Sequence, residues 1–210
     1  ARLHNYVTDI KNMQIRTGLH ILGRAPEGEQ LIDFVCALVR MEHGGEKSLV
    51  RLIAEQAGYD YEELLTYSER MTADNMTYGR KLDAVEAEMR AIVSFLAARD
   101  YALSGVEEAM GLPIIVAASG EMRAAFAYAL REITQEIVPR LRKTEQEIKG
   151  TLRALTGRYI EPSSAGAPTT NGVDVLPTGR NFYGLDPRCM PTPAAWEYGK
   201  QLGDALIEQY

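Results

Sequence analysis

The sequence predicts an all-α fold: a multi-helix domain with a long Pro/Gly-rich ordered loop before the last helix. Three observations carry this reading. Apolar residues recur at helical spacing in one segment after another, giving each segment a single apolar face. The segments end on glycine, proline or a capping residue, which are helix stop and start signals. Between residues 161 and 193 the chain then holds most of its nine prolines and loses the helical period.

Taken in order, Leu3, Tyr6, Val7, Ile10, Met13 and Ile15 mark a first helix that stops at Thr17-Gly18. Gly18 to Gly28 is a compact, turn-rich element. A second helix uses Leu31, Phe34, Val35, Leu38 and Val39, reaches Glu42, and closes at Gly44-Gly45. Ser48 to Ala57 forms a third around Leu49, Leu52 and Ile53, stopped by Gly58. Asp60 caps a fourth, which runs through Leu64 and Leu65.

Leu82, Val85, Met89, Ile92, Val93 and Leu96 make the cleanest amphipathic stripe in the chain. A short helix from Val106 to Met110 ends at Gly111, with Pro113 just beyond. Met122, Phe126, Leu130, Ile133, Ile137 and Leu141 continue into Ile148, Leu152 and Leu155. Pro139 must kink or divide this long helix, because proline lacks the amide donor and its ring clashes with the preceding turn.

After Gly157 the character changes. A stretch this long without secondary structure is commonly either disordered or functional. Val173, Val175, Leu176, Phe182, Tyr183, Leu185 and Met190 supply apolar anchors that disordered segments lack, so an ordered, packed loop is expected. Thr192-Pro193 opens the last helix with proline in its first turn, and Trp196, Leu202, Leu206 and Ile207 are its expected inner face. The expected organisation is a helical domain over 1–160, a loop packed on it over 161–193, and a terminal helix over 194–210. The chain opens without Met in one helical pattern and stops inside another, so a truncated segment, inactive by itself, is expected.

Composition narrows the function. The net charge of −6, from 23 Lys+Arg against 29 Asp+Glu, argues against nucleic acid as the main partner. Arg123, Arg131, Arg140, Arg142 and Lys143 gather in one region but alternate with Glu121, Glu132, Glu136 and Glu145, as a solvated helix face does. The two cysteines, Cys36 and Cys189, make no disulfide framework, and Cys36 in its apolar run reads as a small buried hydrophobe. A reducing, cytoplasmic setting is therefore expected. No apolar run approaches the roughly 18 residues a membrane span needs, and the opening residues do not read as a signal peptide.

Few motifs carry chemistry. The three histidines include no pair at helical metal-ligand spacing. His4 and His43 read as surface residues near helix ends, whereas His20 lies between two glycines in an apolar turn. Gly45-Glu46-Lys47-Ser48 lacks the glycine that precedes lysine in a P-loop, and no strand pattern leads into it. Glu42, Glu86 and Glu88 read as solvent-facing helical residues.

The stretch Leu176-Pro177-Thr178-Gly179-Arg180-Asn181-Phe182-Tyr183-Gly184-Leu185-Asp186-Pro187 remains. Two prolines fix φ and two glycines permit tight turns, so the loop is stiff. Arg180 suits bidentate capture of a carboxylate. It suits equally a pairing with Asp186 or with loop carbonyls, and the residues alone leave both open.

This loop resembles the Leu-Pro-Thr-Gly-Arg-Asn signature of the large-subunit family of cobaltochelatase and magnesium chelatase. The resemblance extends through Asp186-Pro187, Pro191-Thr192 and Ala194-Ala195-Trp196-Glu197-Tyr198-Gly199. It also takes in Gly18-Leu19-His20-Ile21-Leu22-Gly23 and Pro26-Glu27-Gly28-Glu29. The stretches occur in family order and bracket nearly the whole chain.

The resemblance implies an internal segment of a subunit several times longer, without the upstream region rich in His and Glu. Arg180-Asn181-Phe182-Tyr183 is closer to the cobalt form than to the magnesium form. It further implies a subunit that binds tetrapyrrole and inserts cobalt, the substrate metal, into a corrin precursor of cobalamin biosynthesis. ATP and Mg would be bound by separate AAA+ partner subunits, which suits the missing P-loop. The implied site residues are Arg180, Asn181 and Tyr183 for substrate groups, Asp186 to orient Arg180, and His20 as ligand or base. The alternatives are a non-catalytic helical interaction module, with the loop as a docking element, and the related magnesium chelatase large subunit.

Overall fold

The computed structural model describes residues 21–42, 45–164, 166–180 and 193–209, and these are almost wholly helical. Among them the sole β-type pairing is an isolated antiparallel bridge between Met71 and Thr77. Among the described residues no helix is long and apolar enough to cross a membrane. The expected first helix over residues 3–15 lies outside the described residues.

Five helices form the first part of the core: α1 (Gly28–Leu38), α2 (Leu49–Gln56), α3 (Tyr61–Thr66), α4 (Tyr78–Ala97) and α5 (Leu103–Ala109). Helix α4 is the hub, and the other four pack against it. Its buried residues are Val85, Met89, Ile92, Val93 and Leu96, the stripe that the helical period marks out. Burying a side chain of this size contributes about 1.5–3 kcal/mol. Thr77 caps α4 by accepting from the Arg80 amide, Asp60 caps α3 through Glu63, and Ser48 caps α2 through Arg51. Each such cap supports its helix by roughly 1 kcal/mol.

Ion pairs reinforce the α1–α4 contact. Arg90 on α4 bonds Asp33 and, at 2.6 Å, Glu29, both on α1. Glu86, expected to face solvent, instead pairs with Arg40 at 2.7 Å, because its position on α4 faces the α1 end. Between α4 and α5 the chain turns through two left-handed residues, Asp100 (φ 51) and Tyr101 (φ 54). Asp100 is held by Arg142, and Tyr101 is buried at 6 % exposure.

A short helix α6 (Pro113–Val116) starts at Pro113, where the sequence suggested only a stop. Then comes the long helical run. It begins as α7 (Gly120–Glu132), widens into a π turn at Ile133–Ile137, and resumes as α8 (Val138–Arg142). A 3-10 turn at Lys143–Glu145 leads into α9 (Gln146–Leu155). Pro139 therefore divides the helix as expected. The Val138 amide reaches back five residues to the Ile133 carbonyl, a widening that accommodates a residue with no amide of its own. Phe126, Leu130, Ile133, Ile137 and Leu141 of this run are buried.

Two expected inner faces are open among the described residues. Ile148, Leu152 and Leu155 on α9 are 47 %, 58 % and 78 % exposed. On the last helix, here α11 (Pro193–Gln209), Trp196 and Leu202 are 62 % and 51 % exposed. An apolar stripe states that a face is apolar, not that this chain covers it.

Beyond Gly157 the chain forms α10 (Pro168–Asn171), which packs on α1, and a 3-10 turn at Val173–Val175. Val173, Val175 and Leu176 are buried, and Val173 and Leu176 join the main hydrophobic cluster. The peptide bond between Leu176 and Pro177 is cis.

Candidate functional site

From the buried Leu176 the chain runs outward through Pro177, Thr178, Gly179 and Arg180, all half-buried. Gly179 has φ +88, a conformation that side chains disfavour. It also lies directly on the first turn of α9. A Cβ at Gly179 would fall 2.8 Å from the Glu147 amide nitrogen and 2.9 Å from its Cγ, and nearer still to its Cα. No side chain fits there.

A second stretch meets the same turn from the other end of the chain. The Gly23 amide donates to Glu147 Oε2 at 2.7 Å. Gly23 has φ +73, and a Cβ on it would run into the Ile148 side chain. Glu147 itself is only 3 % exposed. A buried carboxylate is costly unless hydrogen-bonded, and a bond to an ionised acceptor is stronger than a neutral one. Its place in the first turn of α9 also sets the negative charge at the positive end of the helix dipole. Glu147 and Ile148 thus seat both the Gly23 turn and the Leu176–Arg180 loop.

The loop presents two polar atoms that the described residues leave unpaired. Thr178 Oγ1 and Arg180 Nε are buried, and neither has a hydrogen-bond partner there. Buried donors without acceptors cost about 1–3 kcal/mol each, so such atoms mark a place where an acceptor is wanted. The chemistry on offer is recognition of a carboxylate or amide oxygen by a guanidinium and a hydroxyl.

Of the site residues expected from the sequence, Arg180 is in this arrangement. His20, Asn181, Tyr183 and Asp186 lie outside the described residues, and so does any pairing of Arg180 with Asp186. Glu147 and Thr178 are additions that the sequence did not single out. Among the described residues no cluster of three or more His, Cys, Asp or Glu could hold a metal ion. A separate cleft of about 380 Å³ is lined by Arg51, Glu55, Tyr59 and Glu62 among others. Its one arginine already pairs with Glu62 and, at 2.9 Å, with Glu42, so it offers less to a ligand.

Comparison with known proteins shows the family. The model of the family described as CobN/Magnesium Chelatase matches residues 1–210. The aerobic cobaltochelatase subunit CobN of Sinorhizobium sp is 37 % identical over all of this chain and 18 % of its own length. That of Pseudomonas aeruginosa is 32 % identical over all of this chain and 17 % of its own. Among solved structures, the catalytic subunit of cobaltochelatase from Mycobacterium tuberculosis superposes with a TM-score of 0.61 at 34 % identity. That match covers 93 % of this chain and 15 % of the larger one. The chain thus spans less than a fifth of the length of these relatives.

Proposed function

The chain belongs to the CobN/magnesium chelatase family, and from that premise we propose that it is a segment of the large, tetrapyrrole-binding subunit of an ATP-dependent cobaltochelatase. The reaction is insertion of cobalt into a corrin precursor on the way to cobalamin. The names of the similar CobN subunits support the cobalt branch. ATP hydrolysis, with its Mg, belongs in this reading to separate AAA+ partner subunits.

Insertion of the metal displaces the inner proton from the ring nitrogens of the macrocycle, so the whole site needs a base, an entry path for the metal, and a firm grip on the macrocycle. The segment described here supplies the grip. Peripheral carboxylates and amides of the macrocycle are oxygen acceptors, and Arg180 Nε and Thr178 Oγ1 are buried polar atoms without partners among the described residues. That single observation carries the assignment. In this reading Asn181 and Tyr183 take further substrate groups, Asp186 orients Arg180, and His20 serves as ligand or base.

The test is cobalt insertion by the full-length subunit with its ATPase partners and Mg·ATP, followed by absorbance. Arg180→Ala should raise KM for the corrin precursor at least tenfold while the melting temperature stays within a few degrees. An unchanged KM, or a parallel loss of fold, would remove Arg180 from substrate binding.

A further inference from the structure

We propose that Glu147 is a positioning residue, a buried pin that holds the Gly23 turn and the Leu176–Arg180 loop in one fixed register. The consequence for ligand binding rests on the reading of Arg180 given above; the pin itself does not.

Three features point to it. The carboxylate accepts the Gly23 amide at 2.7 Å while 3 % exposed, so the bond is shielded from competing water. Gly179 approaches the backbone and Cγ of the same residue too closely for any side chain. The adjacent Ile148 occupies the space beside Gly23. Two distant stretches therefore share one turn of α9 as their seat, and that turn is aimed by the π and 3-10 segments before it. Truncating Glu147 would release Gly23 through the lost bond and take away the Cγ that flanks Gly179. The loop carrying Thr178 and Arg180 would then lose its fixed geometry, and a misplacement of about 1 Å suffices to weaken an oriented contact severely.

The experiment uses the full-length subunit with Glu147→Ala, Glu147→Gln and Arg180→Ala, read by hydrogen–deuterium exchange and by titration with a metal-free corrin precursor. Glu147→Ala should raise exchange in both 21–28 and 173–180 while α2 and α4 keep their protection. It should weaken corrinoid binding at least tenfold, as Arg180→Ala does without any change in exchange. Glu147→Gln keeps the volume and an acceptor oxygen, so it should recover part of both losses, and it carries the test if the alanine variant does not fold. Exchange raised in only one stretch, in neither, or in every helix alike overturns the pin. Raised exchange in both stretches with unaltered binding upholds the pin and instead takes the loop out of the substrate site, so the two readings fail separately.

Discussion

Gly179 lies against the backbone of Glu147 with no space for a side chain between them, and its φ is +88. Two separate penalties therefore await any residue larger than glycine. Gly58 offers the contrast, since its φ is +82 but nothing among the described residues lies within 4 Å of where a Cβ would be. Gly58→Ala should lose about 1 kcal/mol from backbone conformation alone. Gly179→Ala carries that cost and a backbone clash, and should lose at least about 2 kcal/mol. Denaturant unfolding of the two variants side by side checks the order; equal losses would mean that the loop can lift off α9.

Tyr101 makes a prediction of the opposite sign. Its hydroxyl is buried without a hydrogen-bond partner among the described residues, and burial pushes its pKa up to about 12. An unpaired buried hydroxyl costs free energy that its removal returns. Tyr101→Phe should leave stability unchanged or raise it by up to about 1 kcal/mol. A clear loss in thermal or urea unfolding would reveal a partner for the hydroxyl.

Cys36 bears on pH. Burial in the α1 face pushes its thiol up to about 11, with Arg90 and Arg40 pulling in the other direction. The folded state thus favours the neutral thiol. Its contribution to stability is fully present below pH 9, the ordinary thiol value, and is lost as pH rises from there through about 11. Because the thiolate is the reactive form, Cys36 in the folded chain at pH 8 should react with a thiol reagent far more slowly than in denaturant. Equal rates would show that the site opens readily.

Much of the helical frame was legible in the sequence, because periodicity and caps are local. The α4 stripe from Val85 to Leu96 is buried as spaced, Asp60 caps its helix, and Pro139 divides the long run. Helix α6 is not legible in the sequence, because Pro113 beyond Gly111 reads as a stop, although proline is also at home in the first turn of a helix. Glu147 was invisible for a different reason. Its neighbours Gln146 and Lys149 are polar, and it meets Gly23, 124 residues away, and Gly179. No local pattern encodes such a meeting. The exposed faces of α9 and α11 mark the complementary limit, since spacing reveals an apolar side but not what covers it.

The Leu176–Arg180 loop as part of the substrate site is the central claim, and equilibrium binding tests it most directly. A metal-free corrin precursor would be titrated into the full-length subunit as wild type, Arg180→Ala, Thr178→Val and the double variant. Saturable binding is expected, weakened about tenfold or more by Arg180→Ala, less by Thr178→Val, with coupling between the two because both address one ligand group. Wild-type affinity in all three variants, with the fold intact, would contradict the claim and leave this segment as scaffold.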